Sequence, residues 1–240
     1  MNANKSARIN LRRFNNMSML LKGRGKMFFR TELEYYLAAS ILFSVLLVIT
    51  GSLFSRSIIL GFLVWNLFLA IIPYAISKWM QRHVDWNKSR LKFCFVFIVW
   101  LLFIPNSFYI ITDLFHLGSF GRIPLWYELA MILSFAWNGL LLGILSVRQM
   151  ERMINRYASK RTELFFIFPI MFLNALGVYI GRYLRFNSWD VITNPFHLIK
   201  DIANLLLHPI QFKYDWGMVI CFSIFMTLMY LTLINANKER

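Results

Sequence analysis

The chain has 240 residues, of which 58% are hydrophobic, 18% aromatic and only 15% charged. A soluble domain carries about 25% charged residues, because its surface has to be covered by side chains that water solvates. The composition therefore excludes a soluble globular protein, and also a disordered chain, a collagen-like repeat and a disulfide scaffold. An integral membrane protein remains, and its formal net charge of +15 has to be explained by where the basic residues lie.

The chain begins with a basic arm, residues 1–32. The arm lacks the short apolar core and small-residue cleavage site of a signal peptide, so we expect it to be retained. Its Lys and Arg residues are suited to contact anionic lipid head groups. The alternative is a solvated tail that only sets the topology.

Six stretches are apolar on all faces and about as long as the 20 residues that a helix needs to cross a bilayer. They are residues 35–53, 57–77, 91–111, 124–147, 162–180 and 216–234. The sequence therefore predicts an all-α, polytopic protein with about six transmembrane helices in a domain of residues 33–235. Residues 236–240 form a short tail.

Basic residues are strongly biased toward one side of these spans. Of the 26 Lys and Arg residues, 20 lie in the arm, the second and fourth connections and the tail. Basic residues are retained on the cytoplasmic side, so both termini are predicted to be cytoplasmic. The fourth connection repeats a basic residue every four positions, at Arg148, Arg152, Arg156 and Lys160. This stripe is suited to anionic lipids, and its alternative role is a collar that stops translocation.

Polar residues collect at the outer end of the third span. Pro105 predicts a kink or break in that helix, which a membrane tolerates only beside protein or a wet cavity. Five polar residues follow at steps of three or four and share one face of a continuing helix. They are Asn106, Tyr109, Thr112, Asp113 and His116.

The neighbouring spans add charges at the same side. Glu128 lies one turn inside the fourth span, where a carboxylate needs a partner. Arg182 and Arg185 end the fifth span with a spacing that lets both face one carboxylate or phosphate. We therefore expect Arg182 or Arg185 to pair with Asp113 or Glu128.

The last outer loop, residues 181–215, has room for structure of its own. Asp190 ends a turn, and Asn194 with Pro195 predicts the start of a helix that runs to about Leu207. Its apolar residues lie on one side, which predicts an amphipathic helix at the outer interface. They are Phe196, Ile199, Ile202, Ala203 and Leu206.

Metal and cofactor signals are weak. Asp113 with His116, and His197 with Asp201, have spacings that two metal ligands can use, but a His near an Asp at the interface is more often a hydrogen-bonded pair than a metal site. The sequence contains no phosphate-binding loop or nucleophile elbow, so no cofactor is predicted. It also lacks a nucleic-acid-binding motif, so the expected partners are membrane lipids, with protein partners unknown.

Two motifs resemble those of a known family. One is Pro-Asn-x-x-Tyr-x-x-Thr-Asp-Leu-x-His at residues 105–116, and the other is Gly-Arg-x-Leu-Arg-x-Asn-Ser-Trp-Asp at residues 181–190. Together they resemble a bacterial family of multi-pass membrane proteins described only as a domain of unknown function, number thirteen sixty-one. The resemblance covers roughly residues 57–234 and implies a polytopic helical protein in the bacterial cytoplasmic membrane. It implies no activity, substrate or catalytic residue.

Three functions therefore stay open. The first is a protein that binds an anionic ligand, lipid head group or envelope precursor at the outer face. Its expected ligand-binding residues are Asn106, Tyr109, Asp113, Glu128, Arg182, Arg185 and Asp190. The second is an enzyme at the outer leaflet, a hydrolase or transferase that uses a metal or none, with Asp113, His116 and Asp190 as candidate catalytic residues. The third is a transporter or channel subunit.

Overall fold

The computed structural model describes residues 32–83, 89–121, 123–154 and 163–236, the last segment by its backbone alone up to residue 165. The predicted basic arm, the tail and two residues of the basic stripe, Arg156 and Lys160, lie outside the described residues. Within them the chain forms helices and no strand. The helices are α1 (Glu32–Ser55), α2 (Gly61–Arg82), α3 (Arg90–Tyr109), a 3₁₀ segment (Ile110–His116), α4 (Leu125–Ile154), α5 (Glu163–Arg182), α6 (Asp190–Thr193), α7 (Pro195–Leu207) and α8 (Lys213–Ala236).

These helices confirm the predicted class of an all-α polytopic membrane protein. Within the described ranges, five helices are long and apolar enough to cross a membrane: α1, α2, α3 with its 3₁₀ extension, α4 and α8. The predicted fifth span corresponds to α5 (Glu163–Arg182), which is apolar over its described side chains from Phe166 to Arg182. The helices generally extend beyond the predicted spans, and α4 continues to Ile154.

The chain divides into two compact units, residues 1–46 and 47–240. In the first unit, the described part is the beginning of α1, where Tyr36, Leu42 and Phe43 are exposed. Such apolar exposure is what lipid tails can cover. All of the polar features that follow lie in the second unit.

Two pairs of glycines hold α3 close to its neighbours. A Cβ atom on Gly177 of α5 would lie 2.5 Å from Cγ of Pro105, and one on Gly139 of α4 would lie 2.7 Å from the carbonyl oxygen of Ser107. Gly143 and Gly181 repeat these contacts one turn along each helix. Small residues four apart let transmembrane backbones approach where no hydrophobic effect drives them together, so α3 is fixed against both α4 and α5.

The predicted break at Pro105 is wrong. Helix α3 runs through Pro105 to Tyr109 and tightens only afterwards into the 3₁₀ segment. Pro105 lacks the N–H that would bond the carbonyl of Leu101, and side chains bond the two carbonyls that follow Leu101. The Asn106 amide donates to the carbonyl of Phe103 at 3.0 Å, and the Ser188 hydroxyl donates to that of Leu102 at 3.0 Å.

A polar cluster lies near the C-terminal end of α4, the end opposite Glu128. The buried Glu151 carboxylate accepts hydrogen bonds from Arg148 at 2.7 Å and from the Tyr230 hydroxyl of α8 at 2.5 Å. Arg148, expected in an exposed basic stripe, is therefore engaged in an ion pair with a buried partner, while Arg152 is exposed. A carboxylate inside a membrane protein is tolerated when it is paired in this way.

The predicted interfacial helix is present as α7. Asn194 is its N-cap residue but makes no side-chain capping bond. Leu198 and Leu205 are buried, and the carbonyl of Leu205 accepts a hydrogen bond from the indole of Trp216 at 3.2 Å. The predicted apolar residue Phe196 instead points outward and is 85% exposed.

Candidate functional site

The 3₁₀ segment brings two predicted site residues to one side. Residues three apart eclipse one another in a 3₁₀ helix, so Asp113 and His116 project in the same direction. The Thr112 hydroxyl donates to the carbonyl of Tyr109 at 2.7 Å and supports the tight turn locally. The α-helix on which the polar stripe was predicted is thus replaced by a 3₁₀ segment, in which Asp113 and His116 share one side.

Asp113 is buried, and the described residues give a hydrogen bond to only one of its two carboxylate oxygens. The side-chain amide of Asn66 on α2 donates to its Oδ2 atom at 2.9 Å, whereas its Oδ1 atom is buried without a hydrogen-bond partner. A buried acceptor that lacks a donor costs about 1–3 kcal/mol. The Oδ1 atom is therefore a strong acceptor for any donor that reaches it.

Arg182 contacts His116, and in the described part of the chain no carboxylate contacts its guanidinium. Its Nη1 atom lies 3.1 Å from Nε2 of His116, and its guanidinium lies 5.3 Å from the ring centroid of Phe115. Arginine only donates, so Nε2 accepts, and the imidazole is neutral with its proton on Nδ1. The edge of the Phe62 ring packs on His116, with centroids 5.4 Å apart.

The predicted pairing of Arg182 or Arg185 with Asp113 or Glu128 is wrong as a direct contact. Arg182 contacts His116 and acts on Asp113 only through space. The two charges act on each other without a hydrogen bond between them, and the bond that Asp113 accepts comes from Asn66 instead.

Glu128 has a different partner from the one expected. Its buried carboxylate accepts a hydrogen bond at 2.7 Å from the backbone N–H of Gly118. Gly118 has φ +83°, a left-handed conformation that favours glycine. Glu128 therefore fastens the loop that follows His116 to the first turn of α4.

The two sequence motifs lie against each other. Besides the Arg182 contact with His116, the amide of Asn106 donates to the hydroxyl of Ser188 at 2.9 Å. Tyr109 packs on Gly181, where a Cβ atom would meet its ring at 3.4 Å. The C-terminal end of α3 and the segment after α5 therefore form one continuous polar region.

Arg185 lies at the edge of this region. Its φ of 59° is uncommon for a residue with a side chain. It reverses the chain after α5, and the N–H of Phe186 closes the reversal on the carbonyl of Ile180 at 3.3 Å. Arg185 is exposed and, within the described part of the chain, has no hydrogen-bonding or ion-pairing partner.

Asp190 holds its own turn together. Its Oδ2 atom accepts from the backbone N–H of Asn187 at 2.6 Å, and its Oδ1 atom accepts from the Thr193 hydroxyl at 2.8 Å. These bonds favour the charged form and hold the pKa of Asp190 below its usual range. Both carboxylate oxygens are thus used locally, away from any ligand.

The structure gives the metal hypothesis little support. His197 is exposed and packs edge-on against Phe186, with ring centroids 5.8 Å apart. Across the described ranges, no group of three or more His, Cys, Asp or Glu side chains is placed to hold a metal ion. Asp113 with His116 and His197 with Asp201 therefore lack a third ligand of these types in this part of the chain.

Some important residues had a signal in the sequence that the analysis did not use. Gly139 with Gly143, and Gly177 with Gly181, show the four-residue spacing typical of close helix contacts. Asn66 is an amide inside a predicted span, and such residues usually face a partner. Neither signal names the partner, which only the structure supplies.

A family model described as "Protein of unknown function (DUF1361)" matches residues 65–230. The matched range includes both motifs and all of the site residues discussed above except Phe62. No curated protein and no solved structure matches the chain.

Proposed function

The chain belongs to this family of proteins of unknown function (DUF1361), and we propose that it is an integral membrane protein that binds an anionic ligand at its outer face. The observation that carries the proposal is the arrangement of Arg182 and Asp113. Among the described residues, no carboxylate contacts the positive charge of Arg182, and no donor bonds the buried Oδ1 atom of Asp113.

Arg182 is suited to hold a phosphate or carboxylate. Its guanidinium presents planar N–H donors that match such groups, and among the described residues it makes a single hydrogen bond, to His116. The Phe115 ring restricts where the guanidinium points. Arg185 follows three residues later at the exposed edge and adds a second positive charge to guide the anion inward.

Asp113 narrows the class of ligand. Its free Oδ1 atom would accept a hydrogen bond from a hydroxyl or ammonium group, whereas a simple anion would be repelled. A head group that carries a phosphate and a neighbouring hydroxyl satisfies both residues. Hydroxylated phospholipid head groups and phosphate-linked envelope precursors share this chemistry.

The test measures binding of phosphatidylglycerol to the purified full chain in mild detergent by native mass spectrometry. A charge-assisted hydrogen bond is worth about 1.5–3 kcal/mol, so Arg182→Gln should weaken binding about tenfold to a hundredfold. Lys213→Gln removes an equal charge outside the site and should leave binding unchanged. Equal affinities for wild type and a folded Arg182→Gln variant would refute the proposal.

The source of the ligand is distinguished in the same experiment. Soluble glycerol phosphate added as a competitor should displace the lipid if the head group alone is recognised. Retention of the lipid at saturating competitor would show that the acyl chains are recognised as well. Either result keeps Arg182 as the anion-binding residue.

An enzyme at the outer leaflet is the second candidate. The eclipsed placement of Asp113 and His116 favours it, since a neutral imidazole beside a carboxylate can transfer protons. Arg182 would then stabilise the developing negative charge. Asp113→Asn separates the candidates: an enzyme loses turnover of the bound lipid while binding persists, whereas a binding protein converts none in either form.

The proposed site requires a defined orientation. The excess of basic residues on one side predicts cytoplasmic termini and places residues 104–116 and 181–190 outside. A single cysteine introduced at the exposed Arg185 should react with a membrane-impermeant maleimide in intact cells. Labelling only after the membrane is opened would contradict this orientation and the outer-face site with it.

A further inference from the structure

An apolar groove lies between α2 and α3, away from the candidate site. It has a volume of about 290 Å³ and is lined entirely by apolar side chains. They are Ala75, Ile76, Trp79, Phe95, Val96 and Val99. Ala75, Trp79 and Phe95 are exposed, so the groove opens at the surface that the spans present to lipid.

Basic residues continue the two walls of this groove toward one end. Arg82 lies three residues beyond Trp79 on α2, and Lys92 lies three residues before Phe95 on α3. Residues three apart on a helix occupy the same face, so each basic residue extends its wall by one turn. Both are exposed, as is Arg90.

The charge at this end is strongly positive. Residues 78–92 contain five basic residues and a single acidic one, Asp85. This is also the side that the distribution of basic residues predicts to be cytoplasmic. Trp79 is held at the mouth of the groove by stacking on His83, with ring centroids 4.7 Å apart, and tryptophan prefers the depth at which lipid head groups meet the hydrocarbon.

We infer that this groove binds one anionic phospholipid, with an acyl chain between α2 and α3 and the head group on Arg82 and Lys92. The apolar walls match a hydrocarbon chain, and the paired cations at the end match a negatively charged phosphate head group. A zwitterionic lipid fills the same groove, but its head group gains less binding free energy from the two cations. The inference is independent of the ligand proposed at Asp113 and Arg182.

The test uses the full chain in phosphatidylcholine vesicles that contain a small fraction of lipid with brominated acyl chains. Bromine quenches indole fluorescence at contact, and the difference between wild type and Trp79→Phe isolates the signal of Trp79. Brominated phosphatidylglycerol should quench this signal severalfold more effectively than brominated phosphatidylcholine at equal mole fraction. Equal quenching by the two lipids would overturn the inference.

Two variants locate the site. Arg82→Gln with Lys92→Gln should bring the preference for phosphatidylglycerol down to about one, since each cation near the surface contributes comparably. Lys200→Gln with Lys213→Gln removes the same charge elsewhere and should keep the preference. A preference that survives the first pair in a folded protein would show that the head group is bound by other residues and refute the assignment.

A third variant tests the acyl chain. Ala75→Phe places a ring in the groove and should reduce quenching of Trp79 by both brominated lipids. Ala75 is exposed, so its larger replacement is compatible with folding, and thermal unfolding checks this. Unchanged quenching in Ala75→Phe would mean that no chain occupies the groove.

Discussion

The contact between α3 and α5 predicts a sharp response to one added methyl group. Gly177→Ala would place a Cβ atom 2.5 Å from Cγ of Pro105, whereas carbon atoms rest comfortably at about 3.5–4.0 Å. The proline ring is rigid and cannot turn aside, so the helices must separate by about 1 Å. Overpacking of this kind costs about 1–3 kcal/mol.

A matched control comes from α8. A Cβ atom on Gly217 would meet nothing within 4 Å, so Gly217→Ala should be neutral or gain up to about 1 kcal/mol from helix propensity. The measurement is the free energy of unfolding in mixed detergent micelles for both variants and wild type. Equal stabilities of Gly177→Ala and Gly217→Ala would refute the reasoning.

The same substitution should also reach the candidate site. Helix α5 carries Arg182, whose Nη1 atom is 3.1 Å from Nε2 of His116 on the 3₁₀ extension of α3. Moving the helices apart by about 1 Å lengthens this contact beyond hydrogen-bonding distance. Gly177→Ala should therefore weaken phosphatidylglycerol binding in the native mass spectrometry assay, while Gly217→Ala should not.

Three further predictions concern other parts of the molecule. Glu151→Leu should lower the free energy of unfolding by about 3 kcal/mol, because it removes the carboxylate that pairs with the charge of Arg148. Adding Arg148→Met should recover part of this loss. No recovery would contradict the pairing. Because the pKa of Asp190 is lowered in the folded state, its stabilisation is complete at neutral pH and is lost as the pH falls through that pKa. The protection of the Asn187 amide against hydrogen exchange should therefore fall in acid and should already be low in Asp190→Ala. Phe196→Ser should leave thermal unfolding unchanged, since Phe196 is 85% exposed, but should raise the hydrogen exchange of the α7 amides in lipid vesicles, because this face enters the membrane interface; unchanged exchange would contradict that position.

The sequence predicted the helices well because the bilayer imposes a simple requirement. A span needs about 20 apolar residues, and the predicted span 216–234 lies within the observed α8, Lys213–Ala236. Helix ends were predicted less well, since a helix can continue beyond the hydrocarbon without an apolar signal. Helix α4 was predicted to end at Val147 and runs to Ile154.

The sequence predicted which residues come together at the candidate site, but it predicted their contacts less well. From the charges of their residues, the sequence predicted that the motifs of α3 and α5 meet. In the structure Arg182 lies beside His116. Charge alone suggested a carboxylate as the partner of Arg182, because residue types do not reveal that Asn66 already bonds Asp113. Glu128 likewise bonds a backbone amide, and a sequence pattern carries no record of which amides are left free.

The glycine contacts of α3 adjoin the polar region, and they have a consequence for how a ligand would enter it. Since close backbone packing fixes the supports of both Asp113 and Arg182, the recognition groups are preorganised before any ligand arrives. An occupant would then lose little free energy to ordering the protein. Because the Oδ1 atom of Asp113 is buried, the occupant's rate of entry would be governed by movement of the side chains that cover this atom and not by the parting of helices.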